Sequence, residues 1–423
     1  MRITRFSGAV ALAAIMSSYA QDARAGAFLM QEQSAKASGR AFAGEAAIAE
    51  DASTIFYNPA GMTELSGTQF LAGGYMVKPE AKLSDRGSTV GGGAIGGRGG
   101  DQAFDAQPLG HFYAATPATE DLWLGLAVTV PFGLANKYKS DYFGRYDSIE
   151  SRIVAVDVAP SVAYRINPRL SIGGGIDFQY MDAKLVNALP NPGDLGNPAA
   201  DGKLSIAGES FSVGYNIGVL FKPTDTLNLG LSYRAAIDQD VSGQSNQLFA
   251  GATTIKNVST TVALPDIVSL GAAYKLSAAT TLLAQANYYN WSRFEKLEFN
   301  FSDGTTATID QNFTDSFGFS VGAQHKLAGG WTLRGGVEYD QTPTRDSNRS
   351  TSIPDADRLW LGLGASYAVS DSVTLDVSYA HMFANEAPIN RVNSFTALGV
   401  TAMTRGTTET SSDVVGFGLQ VAF

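Results

Sequence analysis

Side chains alternate strictly in "SVTLDVSYA": Val373, Leu375, Val377 and Tyr379 fall on one face, with Thr374, Asp376 and Ser378 on the other. A two-residue period is that of a β-strand, whose successive side chains point to opposite sides. The pattern recurs in "DSFGFSVGA", where Phe317, Phe319 and Val321 oppose Ser316, Gly318 and Ser320. It closes the chain as well, with Val415, Phe417, Leu419, Val421 and Phe423 against Gly416, Gly418 and Gln420. Fourteen such segments can be read, near 68–78, 107–117, 121–131, 151–166, 169–185, 209–222, 226–243, 254–276, 280–300, 313–327, 330–344, 356–369, 372–385 and 412–423. In each, one face is greasy and the other small or polar.

A soluble sandwich also alternates, so the connections must decide. Tight turns such as "NPR" (167–169), "KPTDT" (222–226), "LSAAT" (276–280) and "VSDS" (369–372) alternate with long links at 79–106, 132–150, 186–208 and 386–411. Short turns on one rim and long loops on the other predict an all-β membrane protein, an antiparallel outer-membrane β-barrel of fourteen strands with both termini periplasmic. Lipid cannot satisfy backbone polar groups, so a sheet crosses it only when closed. Tyr288, Tyr289 and Trp291, toward a strand end, are expected at headgroup level.

The first residues agree with export. "MRITRF" is a charged start, "SGAVALAAIM" a short apolar run, and Ala23-Arg24-Ala25 a small-residue cleavage site. Residues 1–25 therefore read as a signal peptide. The apolar run is too short to span a bilayer as a helix. The full chain carries net charge −10; removing Arg2, Arg5, Arg24 and Asp22 leaves −12, a poor surface for nucleic acid. Cysteine is absent, so no disulfide framework contributes. The 46 glycines exceed the usual ~7% and accompany 17 tyrosines and 23 phenylalanines, a pairing typical of large β proteins.

Residues 26–66 do not alternate. Ser38 to Ser53 is alanine-rich and helix-capable, and Asn58 precedes Pro59, which disfavours helix at Asn58. A barrel of this size has a lumen with room for such a segment. "NPAG", Asn58 to Gly61, reads either as a helix stop and turn or as a functional element. In "VPFGLAN", Pro131 and Gly133 mark interrupted pairing, or simply the end of a strand.

The sequence resembles the FadL-type family of outer-membrane channels for long-chain fatty acids and other hydrophobic compounds. The resemblance rests on "GRAFAGEAAIAEDASTIFYNPAG", on residues 264–299 and 354–383, and on the terminal Phe423. It implies an N-terminal hatch, 26–66, plugging a barrel formed by 67–423, with Asn58, Pro59, Ala60 and Gly61 in a gating role. It also implies an inward kink in the third strand, placed by position at Val130 to Asn136, so that Pro131, Phe132, Gly133 and Leu134 border a side opening into the membrane.

Other patterns carry little. His111, His325 and His381 lack metal-ligand spacing, so no metal is expected. "GFSVG" matches a nucleophile elbow, but Ser320 lies inside a strand. Gly91, Gly93 and Gly96 fit a dinucleotide fingerprint without the helix it needs. Neither a catalytic constellation nor a cofactor is expected. The loop 132–148 offers Phe132, Leu134, Tyr138, Tyr142, Phe143 and Tyr146 beside Lys137, Lys139 and Arg145, either a solvated loop or an apolar surface with cations for a carboxylate. Phe28 and Leu29 are candidates for an apolar lumen pocket, and Lys184 for a carboxylate partner there. The expected function is passive uptake of long-chain fatty acids or similar molecules by a monomer surrounded by outer-membrane lipids. A monoaromatic hydrocarbon channel is the near alternative; an outer-membrane lipid hydrolase and a polar-solute porin are more distant ones.

Overall fold

Residues 27–103 and 106–423 are described by the computed structural model; the expected signal peptide lies outside them. Gln69–Asp85 (β1) pairs with Val400–Ala422 (β14) from Gln69↔Ala422 to Asp85↔Gly406, and this pairing closes the sheet on itself. Between them, in chain order, run Gln107–Pro117 (β2), Leu122–Lys137 (β3), Glu150–Asn167 (β4), Leu170–Leu189 (β5) and Gly202–Thr224 (β6). Four further strands are interrupted: β7 (Leu227–Arg234, Asp238–Phe249), β8 (Ala252–Ala263, Ile267–Lys275), β9 (Thr280–Tyr289, Lys296–Phe301) and β10 (Thr306–Asp310, Ser316–Lys326). Trp331–Asp340 (β11), Arg358–Ala368 (β12) and β13 (Val373–Ala384, Ala387–Phe395) complete a closed antiparallel barrel of fourteen strands among the described residues.

The alternation read from sequence is the inside–outside alternation of this barrel. Outward Phe319 and Phe417 are 54% and 57% exposed, as lipid-facing side chains should be. The expected strand centres hold, but several strands run further than expected. The presumed links at 386–411 and 132–137 are strand, in β13, β14 and β3. "TRGTTETSSD", 404–413, carries polar residues on both faces because most of it stands above the bilayer, so no greasy stripe announces it.

The outer rim has a repeated fastening. A tyrosine hydroxyl on the ascending strand of a hairpin donates to a carboxylate on the descending one: Tyr180 to Glu209, Tyr233 to Asp266, Tyr288 to Asp315, Tyr339 to Asp357 and Tyr379 to Asp413. These pairs occupy the five hairpins from β5 to β14. Tyr288 thus stands at the rim as expected, whereas Tyr289 and Trp291 turn inward and are buried, since β9 breaks after Tyr289.

The residues preceding β1 lie inside the barrel. Short helices Ala35–Ser38 (α1), Glu45–Ile48 (α2) and Thr54–Tyr57 (α3), then a 3-10 turn Pro59–Glu64, touch the inner wall of strands on all sides. The glycines explain how a backbone can approach a sheet so closely. Gly173 pairs with Gly218, Gly230 with Gly271, and Gly336 with both Gly322 and Gly362. A Cβ at Gly230 would stand 1.7 Å from the Ala46 carbonyl oxygen, and one at Gly336 1.9 Å from that of Arg40. Only a side-chain-free strip lets main chain rest on main chain.

Candidate functional site: a notched wall and an apolar lumen

The ladder between β2 and β3 stops short of the outer rim. β2 and β3 pair from Pro117↔Trp123 only as far as Phe112↔Val128, although β2 runs back to Gln107 and β3 on to Lys137. On its other side β3 pairs with β4 through Thr129↔Asp157 and resumes at Phe132↔Ala155, so Val130 and Pro131 together stand opposite Val156. Two residues against one is a β-bulge, which bends a strand. Proline cannot donate to a ladder, and Pro131 and Pro108 sit on the two facing edges. The bend turns inward. Val128, Val130, Val154 and Val156 occupy a wall whose outward residues are elsewhere well exposed, yet they are only 2–4% exposed, packed with Leu109, Phe112 and Val158. The result is a recess between β2 and β3 floored by valines.

Behind it lies an apolar interior. Phe28 meets Trp291 at 4.9 Å between ring centroids, Phe294 at 5.6 Å and Phe132 at 6.1 Å, edge-on or tilted as aromatic quadrupoles prefer. Leu29 bridges to Phe132, and Leu134, Ile153 and Met181 extend the cluster. Toward the outside it continues into a pocket with about 470 Å³ of atom-free space, part of it open, lined by Ile153, Leu185, Val241, Val258, Leu297 and Phe299. Phe28, Leu29, Phe132 and Leu134, separated by a hundred residues in sequence, are thus brought together.

The N-terminal segment is fastened by polar contacts that are themselves buried. The Asn58 amide donates to the Ala46 carbonyl (2.6 Å) and the Val219 carbonyl of β6 (3.0 Å), and its oxygen accepts from the Ala60 N–H (3.1 Å). Gly218 makes this possible, since a Cβ there would fall 2.0 Å from the Asn58 side-chain oxygen. Pro59 and Ala60 press on Gly173 of β5 in the same way. Lys36 bonds Asp51 at 2.9 Å and approaches Asp376 of β13 at 4.0 Å; Arg40 holds Glu45 at 2.7 Å and also pairs with Glu50. Gly61 is buried against Thr54 and Ala49.

Over the outer mouth the expected catching surface is folded inward. Tyr142, Phe143, Arg145 and Tyr146 are 0–2% exposed, and Tyr138 3%. They form the core of a cap: Tyr138 and Tyr142 stack at 4.6 Å and bond Thr351 of the loop after β11. Arg145 is committed to Asp201 (2.7 Å) and to the carbonyls of Gly96 and Gly196, so it ties three outer loops together and is not a waiting cation. Phe132 and Leu134 belong to β3 rather than to a loop. Lys137 and Lys139 alone of that group face solvent, and Lys184 bonds Glu150 at 2.7 Å beside the apolar pocket. Replacing Arg145 by Met is expected to strand Asp201, at about 3–5 kcal/mol for a broken buried pair. Limited proteolysis should then cut within 91–100 and 190–201 at protease levels that spare the parent.

Residues 16–423 match the model of the outer membrane protein transport protein family (OMPP1/FadL/TodX). The chain belongs to this FadL/TodX family. FadL/TodX membership makes it an outer-membrane transport protein crossing the bilayer many times as strands, not an enzyme. Outer membrane protein P1 of Haemophilus influenzae is 28% identical, with 97% of this chain and 98% of that protein covered. A long-chain fatty acid transport protein of Escherichia coli O6:H1 is also 28% identical, covering 88% of this chain and 90% of the relative. Among solved structures, a Pseudomonas aeruginosa FadL homologue superposes with TM-score 0.88 at 23% identity over 94% of this chain and all of that one. The Ralstonia pickettii toluene transporter TbuX does so with TM-score 0.68 at 18% identity, over 92% and 98%. At those identities the likeness to solved structures is one of fold.

Two elements of the site escaped the sequence reading. The glycine strip was present as glycines at inward positions of neighbouring strands, but its meaning depends on a register that only pairing reveals. Pro108 gave a local signal, a proline inside an alternating strand, yet its significance comes from lying opposite the bulge.

Proposed function

We propose that this chain takes up long-chain fatty acids or similar hydrophobic molecules passively, as a monomer, and releases them sideways into the outer membrane. The observation that carries this reading is the recess between β2 and β3, backed by the apolar cluster of Phe28, Leu29, Phe132 and Leu134. Each acyl CH₂ kept from water is worth roughly 0.8 kcal/mol, so a chain of about sixteen carbons gains on the order of 10 kcal/mol from a dry route. The pocket along Ile153, Val241 and Phe299 supplies such a route, and a lateral exit spares the molecule the aqueous periplasm. A polar-solute pore would need the open lumen that residues 27–66 occupy.

In this reading residues 26–66 are the hatch and residues 67–423 the barrel, with 1–25 removed on export. Asn58, Pro59, Ala60 and Gly61 seat the hatch, and Pro131, Phe132, Gly133 and Leu134 frame the exit. Asn58→Ala is expected to reduce uptake several-fold with the amount of heat-modifiable barrel unchanged, because buried carbonyls and an N–H each lose a partner, at about 1–3 kcal/mol apiece. Normal uptake by this variant would count against the gating role.

A second reading, a channel for neutral monoaromatic hydrocarbons, is favoured by the engagement of Lys184 with Glu150 and of Arg152 with Asp182 beside the pocket. Neutral ligands need no cation. The experiment that separates the two is competitive uptake of oleate against toluene in cells with and without the protein. Protein-dependent oleate uptake resisting excess toluene supports the fatty-acid reading; toluene uptake alone supports the other.

A further inference from the structure

We infer that Gln33 is a positioning residue that substitutes for a strand of the barrel wall: its side-chain amide takes the place of β2 as the hydrogen-bond partner of β3, so the opening of the lateral exit depends on the hatch being seated. This rests on the reading of the β2–β3 recess as the exit.

Continuing the β2–β3 register beyond Phe112↔Val128 would set Gly110 against Val130, Leu109 against Pro131 and Pro108 against Phe132. Those rungs are absent, and the backbone groups of β3 have found partners in the N-terminal segment. The Gln33 side chain donates to the Val130 carbonyl at 2.7 Å and accepts from the Val130 N–H at 3.3 Å, presenting the donor–acceptor pair that a facing peptide would present. Next along β3, the Met30 N–H donates to the Pro131 carbonyl (2.8 Å), and the Gly133 N–H donates to the Phe28 carbonyl (2.9 Å). Residues 28–33 are therefore spliced onto the edge that β2 has left.

Gln33 is held rigidly for this task. It is 2% exposed; its main-chain carbonyl accepts from the Tyr113 hydroxyl of β2 at 2.8 Å, its N–H donates to the Tyr57 hydroxyl at 3.2 Å, and its amide also donates to the Met30 carbonyl at 3.2 Å. Through Tyr113 it touches β2, through Val130 it touches β3, and through Tyr57 it touches helix α3. A buried backbone group needs a partner. Withdrawing residues 28–33 therefore leaves β3 either unsatisfied or obliged to swing toward β2, and Pro108 and Pro131 prevent a complete ladder from forming there.

The absence of cysteine gives a clean background for a distance measurement. Spin labels on Lys82→Cys of β1 and Lys137→Cys at the end of β3, both exposed, report the position of β3 by pulsed electron resonance in detergent or vesicles. With Gln33 intact a single narrow distance distribution is expected. Gln33→Met, similar in size and unable to make either bond, should broaden or shift that distribution and lower oleate or toluene uptake several-fold, with heat-modifiable barrel unchanged. If Gln33→Met assembles poorly, Gln33→Asn, too short to reach both Val130 groups, should give the same shift. An unchanged distribution in an assembled variant overturns the inference. A shifted distribution with undiminished uptake upholds the positioning role and instead tells against the β2–β3 recess as the exit.

Discussion

Barrels carrying Gly230→Val and Gly336→Val together are expected to conduct ions steadily in planar bilayers, and the parent protein is expected to be silent there. A Cβ at either position would collide with main chain of the N-terminal segment, the Ala46 carbonyl in one case and the Arg40 carbonyl in the other. Neither contact can be relieved by turning a flexible side chain. Overpacking costs typically 1–3 kcal/mol per site, and about 1.4 kcal/mol is tenfold in a population, so two sites together should raise the unseated fraction by roughly thirty- to twenty-thousand-fold. Strand pairing contributes none of the colliding atoms, so heat-modifiability should show the cylinder assembled. Silent bilayers with a fully assembled double variant would mean that the segment does not block the bore.

Lys36→Met is expected to have a comparable effect by a different route. Lys36 is 6% exposed, bonds Asp51 within the N-terminal segment and the Gln420 side-chain oxygen of β14 (2.8 Å), and approaches Asp376 of β13. Removing the cation leaves Asp51 and Asp376 buried with only hydrogen bonds from Ser53 and Ser366 and no countercharge from this residue, a loss of about 3–5 kcal/mol for a buried pair broken in this way. Hydrogen exchange at amides 35–57 should accelerate by two or more orders of magnitude, since about 1.4 kcal/mol is one order. The companion variant Lys36→Met with Asp51→Asn and Asp376→Asn should recover most of the protection, because neutral amides need no counter-charge. Equal exchange in both variants would assign the effect to lost packing.

Much of this architecture was readable before any coordinates. Lipid enforces a greasy outward face, so "SVTLDVSYA" and "DSFGFSVGA" announce β13 and β10 without help from tertiary context. The same rule explains what stayed hidden, because residues 404–413 stand mostly above the lipid and obey no such constraint. At the site, Phe28, Leu29, Phe132 and Leu134 were singled out as apolar residues of the N-terminal segment and of the proline-interrupted strand, and the fold packs them against one another. For Arg145 and its neighbouring tyrosines the sequence left open a solvated loop or a receptive surface, and the fold buries them as the core of a cap. A run of aromatics and cations has the same composition whether it greets a ligand or packs a loop, and only Asp201, fifty-six residues on, shows which. Gln33 was invisible to sequence reasoning because an amide mimicking a peptide leaves no pattern; its meaning lies entirely in the missing rungs opposite Val130.

The tyrosine–carboxylate fastenings of the outer rim have a corollary for the surrounding bilayer. They mark a fixed waterline on five consecutive hairpins, from β5 round to β14. The two hairpins made by β1 to β4, which flank the valine-floored recess, carry no such tidemark among the described residues. Lipids lapping against that quarter of the cylinder meet exposed Phe70 and Tyr164 but no tyrosine–carboxylate pair to set their depth at the outer edge. The film is held less firmly at its outer edge on the flank where, by the proposed route, cargo would surface.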